Sequence, residues 1–289
     1  MTLGSVVTVL LNGLGYGIAI ALIAVGLTLI FGIMNIVNFA HGEFYMLGAF
    51  GILFLTAEFG SYLLAVILTI FIVAVFGVII ERLTLAPLYN RDPLLTLIVT
   101  FGLVLVFQQL ALTLWGGNVR RLRAPITGTV DLGITTYPLW RFLVIFGAGI
   151  ILLAVIVFIR QTRWGLLMRA TAEDMTTART LGVRVNRVYM FTFFIGTGLA
   201  VIAAAFLAPI RTVNPTMSTS IILDSFIVVI LGGLGSVIGA IVAALSIGLI
   251  EAFFVGVIPG WANQVVKFSL MIVILLVKPE GLFGTTGGG

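Results

Sequence analysis

The feature that most limits the fold of this chain is a succession of long apolar runs. Val6 to Phe31 carries no acidic or basic side chain. Runs with at most one charge follow at Phe44–Phe59, Leu63–Ile80, Leu94–Trp115, Leu139–Ile159, Val188–Leu207, Ile221–Leu231, Val237–Phe254 and Asn263–Val277. A straight helix crosses bilayer hydrocarbon with about 20 apolar residues. Most of these runs therefore read as membrane spans, and Ile221–Leu231 is too short to cross alone. The first run has neither a cationic leader nor a cleavage signal, so it reads as a retained span. The expectation is an all-α, polytopic membrane protein with about 8–9 transmembrane helices, some broken or re-entrant.

Composition decides what else fits. With 61% hydrophobic and 9% charged residues in 289, and a mean hydropathy of +1.28, no room remains for a separate soluble domain. The chain has no cysteine and a single histidine, which removes disulfides and thiolate or His-rich metal sites. Neither a metal nor another cofactor is expected. The net charge of +5 is small; basic loops on one membrane face explain it without nucleic acid.

One interruption stands out. Asn35, Asn38 and His41 recur at i, i+3 and i+6 between Gly32 and Gly42, with apolar residues filling the gaps. On a helix they form a single polar stripe. Polar groups at membrane depth are costly unless they are partnered or face water. The stretch, with Glu43 beside it, therefore reads as a broken or re-entrant element lining a translocation path, and an ordinary loop between two hydrophobic helices is the alternative. Gln108 on the fourth run either faces the same path or joins helices. The break Gly232-Gly233-Leu234-Gly235-Ser236 splits a later run in the same manner. Paired interruptions point to a transporter's central site and to an internal, inverted repeat. Gly232, Gly233 and Gly235 join the path set, and their lack of side chains also suits close backbone packing. Gly13 and Gly17, four apart on the first run, permit close helix contact.

Between the runs, Glu81-Arg82 closes the third segment, and Pro87 and Pro93 limit helix continuation through the link at 86–93. Turn residues within Gly116–Pro138 suggest turns or a short hairpin. Arg160 to Arg187 is the one long charged stretch. A helix is expected from Leu166 to Leu181, capped by Gly182, with Leu167, Ala170, Asp174, Ala178 and Leu181 on one side. This is either a solvated surface loop or a docking helix for a soluble partner. Placing it in the cytoplasm puts Arg82, Arg91 and Lys278 inside and leaves Arg120, Arg121 and Arg123 outside, against the usual rule. Glu251 and Lys267 flank a turn at Pro259-Gly260; they either pair across it or snorkel separately.

The chain contains no Gly-x-x-x-x-Gly-Lys-Ser/Thr phosphate loop, so it has no such route to ATP hydrolysis. Two rivals are a stand-alone secondary transporter or channel, and an intramembrane enzyme using His41 and Glu43. Nothing else in the sequence supplies the latter with a nucleophile or metal set.

The segment Gly26-Leu-Thr-Leu-Ile-Phe-Gly-Ile-Met-Asn-Ile-Val-Asn-Phe-Ala-His-Gly-Glu-Phe44, followed by Met46-Leu-Gly-Ala49, resembles the signature of LivH-type permeases. These are membrane subunits of ABC importers for branched-chain amino acids. Ile230-Leu-Gly-Gly-Leu-Gly-Ser-Val-Ile-Gly239 and Lys278-Pro-Glu-Gly-Leu-Phe-Gly284 match later motifs of that family. Arg169 to Val183 resembles its cytoplasmic coupling loop. The general importer pattern there is Glu-Ala-Ala then glycine, whereas this chain reads Ala172-Glu173-Asp174.

The resemblance implies a single transmembrane permease domain over residues 1–289, with a coupling loop at 160–188. It implies that Arg169, Glu173, Asp174, Ala178, Arg179 and Gly182 fit an ATPase groove. Its implied partners are a second related permease in a heterodimer, two cytoplasmic ATPase subunits, an extracytoplasmic substrate-binding protein and the lipid bilayer, with no nucleic acid. The implied location is the inner (plasma) membrane of a bacterium or archaeon, as a multi-pass, non-catalytic transport subunit. Permeases for urea and short amides share these motifs and stand as the alternative substrate class.

Overall fold

The computed structural model describes residues 2–89, 91–255 and 257–284. Asn90 of the link at 86–93 and the terminal Gly287-Gly288-Gly289 lie outside the described residues. The chain folds as α1 (Leu3–Met34), α2 (His41–Phe59), α3 (Tyr62–Ile80), α4 (Pro93–Trp115), β1 (Thr129–Asp131), β2 (Thr136–Pro138), α5 (Leu139–Gln161), α6 (Arg163–Glu173), α7 (Met175–Thr180), α8 (Val185–Leu207), α9 (Met217–Gly232), α10 (Val237–Phe254) and α11 (Gly260–Val277). Among the described residues, 7 helices are long and apolar enough to cross a membrane, and Met217–Gly232 and Trp261–Val277 are shorter apolar helices.

The bundle is built around α1. In its most apolar stretch 83% of residues are buried, against 17% in α5, so α1 is the central column and α5 belongs to the rim. Small residues allow this. A Cβ on Gly13 would lie 2.9 Å from the Leu249 Cα, and one on Gly17 would lie 2.8 Å from the Ala244 carbonyl oxygen. A Cβ on Gly248 would lie 2.5 Å from the Gly17 backbone. The Gly13–Gly17 pair thus does what its spacing suggested, bringing α10 against α1 backbone to backbone. On the rim, α3, α4, α5 and α11 turn large side chains such as Leu63, Phe71, Phe101, Ile150 and Leu276 outward, which suits lipid contact.

At one end of the bundle, β1 and β2 form the expected hairpin, with Val130 opposite Tyr137. Here Thr8 of α1 meets Thr135, and Arg120 exchanges backbone hydrogen bonds with Val213. At the opposite end α1 finishes beside α6 and the start of α10. We call these the hairpin end and the loop end.

Three expectations are corrected. The polar stripe is not helical. Helix α1 stops at Met34, and Asn35 takes a left-handed conformation at φ 53°, tolerable for asparagine, while its N–H bonds back to the Phe31 carbonyl. Residues 35–40 then run without helix, which breaks the i, i+3, i+6 register. Second, Glu81-Arg82 does not close the third segment. The helix widens into a π turn at Glu81–Leu85 and tightens into a 3-10 turn at Ala86–Leu88. Glu81 is buried and accepts a hydrogen bond from the Tyr89 hydroxyl, which rewards continuing the coil by another turn.

Third, Leu166–Leu181 is not one helix. It divides at Asp174, whose carboxylate accepts from the Thr176 and Thr177 amides at 2.8 and 3.0 Å and so starts α7. The Thr177 hydroxyl and these amides hold the Asp174 carboxyl below the usual carboxylate range. The buried face is Met168, Thr171 and Ala178, whereas Ala170, Asp174 and Leu181 face outward. Of the expected stripe only Ala178 is buried. The C-cap expectation holds: Gly182 has φ +87°, its N–H bonds to the Arg179 carbonyl, and the Val183 N–H reaches the Ala178 carbonyl.

Substituting Gly248 by alanine should force α10 off α1 and cost about 1–3 kcal/mol. A Cβ on Gly102 of α4 meets nothing within 4 Å, so Gly102→Ala should be neutral or gain up to about 1 kcal/mol of helix propensity. Thermal unfolding of the two purified variants in the same detergent compares them directly.

Candidate functional site

The expected path residues separate into three settings. Asn35 is exposed and borders a cavity of about 210 Å³ shared with Pro93, Leu94 and Thr96 of α4. Asn38 and His41 are buried, at 1% and 0% exposure; among the described residues neither polar atom of the Asn38 amide has a hydrogen-bond partner, and the His41 ring has no side-chain partner and lies beside the Ile23 backbone. Glu43, two residues on, does find partners. Its Oε1 accepts from Gln108 Nε2 at 3.2 Å, that amide's two hydrogens being shared with the Ser218 and Thr219 hydroxyls at 3.3 and 3.2 Å, while its Oε2 is buried without a partner among the described residues. The structure therefore brings Gln108 and Glu43 together, with Ser218 and Thr219 as members that the sequence did not single out.

The position of this cluster follows from close backbone approaches. A Cβ on Gly26 would lie 2.7 Å from the Gly196 carbonyl oxygen, at the midpoint of α8, and 3.2 Å from His41 Nε2. Gly26 is two turns before the end of α1, about 12 Å along its axis. Helix α2 thus begins halfway up the bundle, with Asn38 and His41 at its entry. A Cβ on Gly42 would lie 2.9 Å from the Ser218 carbonyl oxygen, so α9 begins against the same point. Thr100 of α4 donates to the Val37 carbonyl at 3.3 Å and ties the non-helical stretch to its neighbour.

The glycine break lies at the loop end. Gly232 and Gly233 are buried, and the Leu231 and Gly232 carbonyls, orphaned at the end of α9, accept from the Leu282 and Phe283 amides. The match at Lys278–Gly284 thereby has a structural role: it caps α9. A Cβ on Gly233 would lie 2.4 Å from the Gly284 amide nitrogen, so the break exists for packing at this point. Gly235 is exposed, and a Cβ on Gly32 would sit 3.1 Å from its Cα, so the two interruptions of the chain touch.

A second polar cluster lies toward the hairpin end. Lys267 of α11 is 2% exposed; its ammonium sits 2.6 Å from Asp224 Oδ1 and 2.9 Å from Glu251 Oε2. Arg211 donates to Glu251 Oε1 at 3.2 Å and lies over the Tyr16 ring at 4.1 Å. The Tyr16 hydroxyl donates to Asp224 Oδ2 at 2.8 Å, and Asn263 donates to Glu251 Oε2 at 3.1 Å. Charges in an apolar bundle must be paired, and here two cations meet two carboxylates. Pairing of Glu251 with Lys267 is the reading the structure selects. Asp224, Arg211 and Tyr16 complete the network, and the signal for it was available: the late apolar runs carry one charge each, of both signs.

On the coupling segment, Arg169, Glu173, Asp174, Arg179 and Gly182 are exposed, and Ala178 is the buried foot of α7. Among the described residues, no group of three His, Cys, Asp or Glu side chains is placed to hold a metal ion.

Comparison with known proteins agrees with this architecture. The family model described as branched-chain amino acid transport system / permease component matches residues 9–275. The chain is 33% identical to the high-affinity branched-chain amino acid transport system permease protein LivH of Escherichia coli K12, over 94% of each chain. It is 33% identical to BraD of Pseudomonas aeruginosa, over 95% of this chain and 94% of that one. A probable LivH of the archaeon Methanocaldococcus jannaschii is 24% identical over 93% of this chain and 90% of its own. Among solved structures, PsaBC from Streptococcus pneumoniae in complex with Fab shares the fold at a TM-score of 0.50 and 13% identity, over 94% of this chain and 92% of that one. An apolar bundle with polar groups held at depth, matched by a family model through almost all of its length, is a multi-pass membrane transport protein; the chain belongs to the branched-chain amino acid transport system permease component family.

Proposed function

We propose that this chain is the permease of a binding-protein-dependent ABC importer that carries aliphatic, branched-chain amino acids across the inner membrane. A second related permease completes the conduit as a heterodimer, two ATPases power it, and an extracytoplasmic binding protein delivers the substrate. The observation that carries the reading is the α6–α7 element. It is a pair of short helices seated on the bundle by Met168, Thr171 and Ala178, with Arg169, Glu173, Asp174 and Arg179 turned outward. Such a handle, rooted in the packed core and charged on its free side, transmits rigid-body motion from a soluble motor. The loop end is then cytoplasmic, in line with the arginines of 160–187, and the hairpin end is extracytoplasmic.

In this reading α2 and α9 both begin at mid-depth, so Gly32–Glu43 is the non-helical entry of a broken span, and the nine apolar helices supply the eight or nine spans. Irregular backbone at depth persists only against protein or a cavity. Asn38 and His41 sit where it occurs, and Glu43 and Gln108 lie beside them. These groups offer hydrogen bonds to a passing substrate without a fixed ion pair to trap it, as a conduit requires. Gly235 borders the exit, and Gly232 and Gly233 form the pivot beneath it. The inverted repeat gains no support from the two breaks, because they touch at the same end of the bundle.

Three outcomes follow. The chain lacks cysteine, so a single cysteine at the exposed Leu181 position should be labelled by impermeant maleimide only in inside-out vesicles; labelling in intact cells overturns the orientation. Glu173 makes no hydrogen bond or ion pair among the described side chains, so Glu173→Lys should leave the fold intact and lower ATP-driven uptake at least tenfold at matched expression. Asn38 is buried and has no hydrogen-bond partner among the described residues, so Asn38→Leu should leave thermal stability unchanged or raised while uptake falls severalfold; normal uptake would remove Asn38 from the path.

A further inference from the structure

The charge network has a face that its internal pairing does not use. At the hairpin end a cavity of about 290 Å³ opens between α1, α5, α8 and α10. Arg141 and Arg211 line it together with Glu251, Asn12 and the two tyrosines Tyr16 and Tyr137. The rest of its wall is small and aliphatic: Gly15, Val144, Leu207, Ile210, Ala252 and Val255.

Each polar side chain in this wall is fixed from behind. Asn12 Oδ1 accepts from Arg141 Nη1 at 2.6 Å and from the Tyr137 hydroxyl at 3.1 Å. Glu251 Oε2 is held by Lys267 and Asn263, and Arg211 rests on the Tyr16 ring. The charges do not cancel. Arg141, Arg211 and Lys267 face Asp224 and Glu251, and among the described residues Arg141 has no acidic partner. Arg211 spends one nitrogen on Glu251 and stays partly open, with its side chain 36% exposed. A guanidinium offers five donors in a plane. Two such groups with unused donors, on one concave wall, form a receptor for a carboxylate.

We infer that this cavity is an entry subsite for the zwitterionic head of an aliphatic α-amino acid. The inference rests on the reading of the chain as an amino-acid permease and names the place where that substrate first binds. Its α-carboxylate bridges Arg141 and Arg211. Its ammonium takes the free lone pair of Glu251 Oε1, and its side chain lies against Val144, Leu207, Ile210 and Ala252. The excess cation selects for the carboxylate, and Glu251 prevents a dianion from binding well. The apolar wall admits branched aliphatic side chains and offers nothing to polar ones. Urea, with neither charge, lacks both anchors.

The test uses the complete complex of both permeases and ATPases in nanodiscs, without the binding protein, and radiolabelled L-leucine as the probe. Saturable binding is expected. Arg141→Gln should weaken it at least tenfold, and Arg141→Lys should recover part of the loss. Arg141 bonds only to a neutral amide, so its removal strands no buried carboxylate. Ala252→Phe, which fills the cavity without altering a charge, should abolish binding in an assembled, monodisperse complex. L-Leucinamide, which keeps the ammonium and loses the carboxylate charge, should fail to compete. Wild-type binding in either Arg141→Gln or Ala252→Phe, or competition by leucinamide equal to that by leucine, overturns the subsite. Uptake with the binding protein present separates the two failures. Wild-type complex that imports leucine while both variants import it with unchanged apparent KM refutes the subsite alone. Wild-type complex without ATP-dependent leucine uptake refutes the amino-acid permease reading, and the subsite falls with it.

Discussion

The contact between α1 and α10 governs the architecture. Two helices in lipid gain nothing from burying apolar surface, because acyl chains are as apolar as leucine. They gain from close packing, and close packing needs absent side chains. Gly13, Gly17 and Gly248 supply that along one seam, and Gly26 with Gly196 supplies it between α1 and α8. Once α1 is enclosed on these sides it is buried almost throughout from Gly13 to Ile30, while Leu3, Val6 and Leu10 near its start stay exposed, and α3, α4, α5 and α11 form the rim. Both polar clusters exist only because α1 is central: Tyr16 reaches one from the half nearer the hairpin end, and Gly26 leaves space for His41 of the other.

The two clusters solve the cost of buried polarity in opposite ways. Around Lys267 nearly every donor has an acceptor. Removing one member would strand a charge, at about 3–5 kcal/mol. Such a network fixes α9, α10 and α11 relative to α1, because one misplaced helix unpairs all of it. Around Asn38 and His41 the side chains are buried without a side-chain partner among the described residues, and a polar group left unsatisfied in this way forgoes about 1–3 kcal/mol of hydrogen bonding. A fold that satisfies one site so fully and leaves the other unsatisfied has distinct uses for them. The first joins helices through its inward-facing pairs and leaves only the cavity side of Arg211 and Glu251 open to a ligand. The second holds free hydrogen-bonding capacity at the bundle's midpoint, where the backbone is also irregular.

Much of this was legible in the sequence for a simple reason: apolar length, glycine spacing and turn residues act locally. The nine apolar runs became helices with ends shifted by a few residues, the hairpin formed within 116–138, and Gly182 capped its helix. Errors arose where a nonlocal partner decided the outcome. Asn35 looked like part of a helical stripe because its spacing is helical; the chain leaves the helix there to carry His41 to the midpoint of α8. Glu81-Arg82 looked like a terminus because charges end spans, yet Tyr89 reaches back to Glu81 and the coil continues. Asp174 looked like one position on an amphipathic face, and its two-amide cap makes it a boundary instead. The network at Lys267 was half visible: the charges were evident, but which of them meet depends on how three helices cross.

The break at Asp174 bears on how force could enter the bundle. One helix from Leu166 to Leu181 would be a straight rod touching the bundle along a single line, free to roll about that line. Two helices meeting at a capped aspartate form an angle. Met168 and Thr171 bury one arm and Ala178 buries the other, so the piece is held at separated points and resists rotation. A Cβ on Gly165 would lie 2.2 Å from the Ile159 carbonyl oxygen, so α6 folds tightly back onto the end of α5. At its far end Val185 is buried as α8 begins. A push on Glu173 or Arg179 therefore passes into α5 and α8 together. Helix α8 carries Gly196, the residue packed against Gly26 beside His41. The α6–α7 element and the buried site at His41 are thus joined by one helix about 34 Å long, whose midpoint is where a displacement would loosen or tighten the packing around His41.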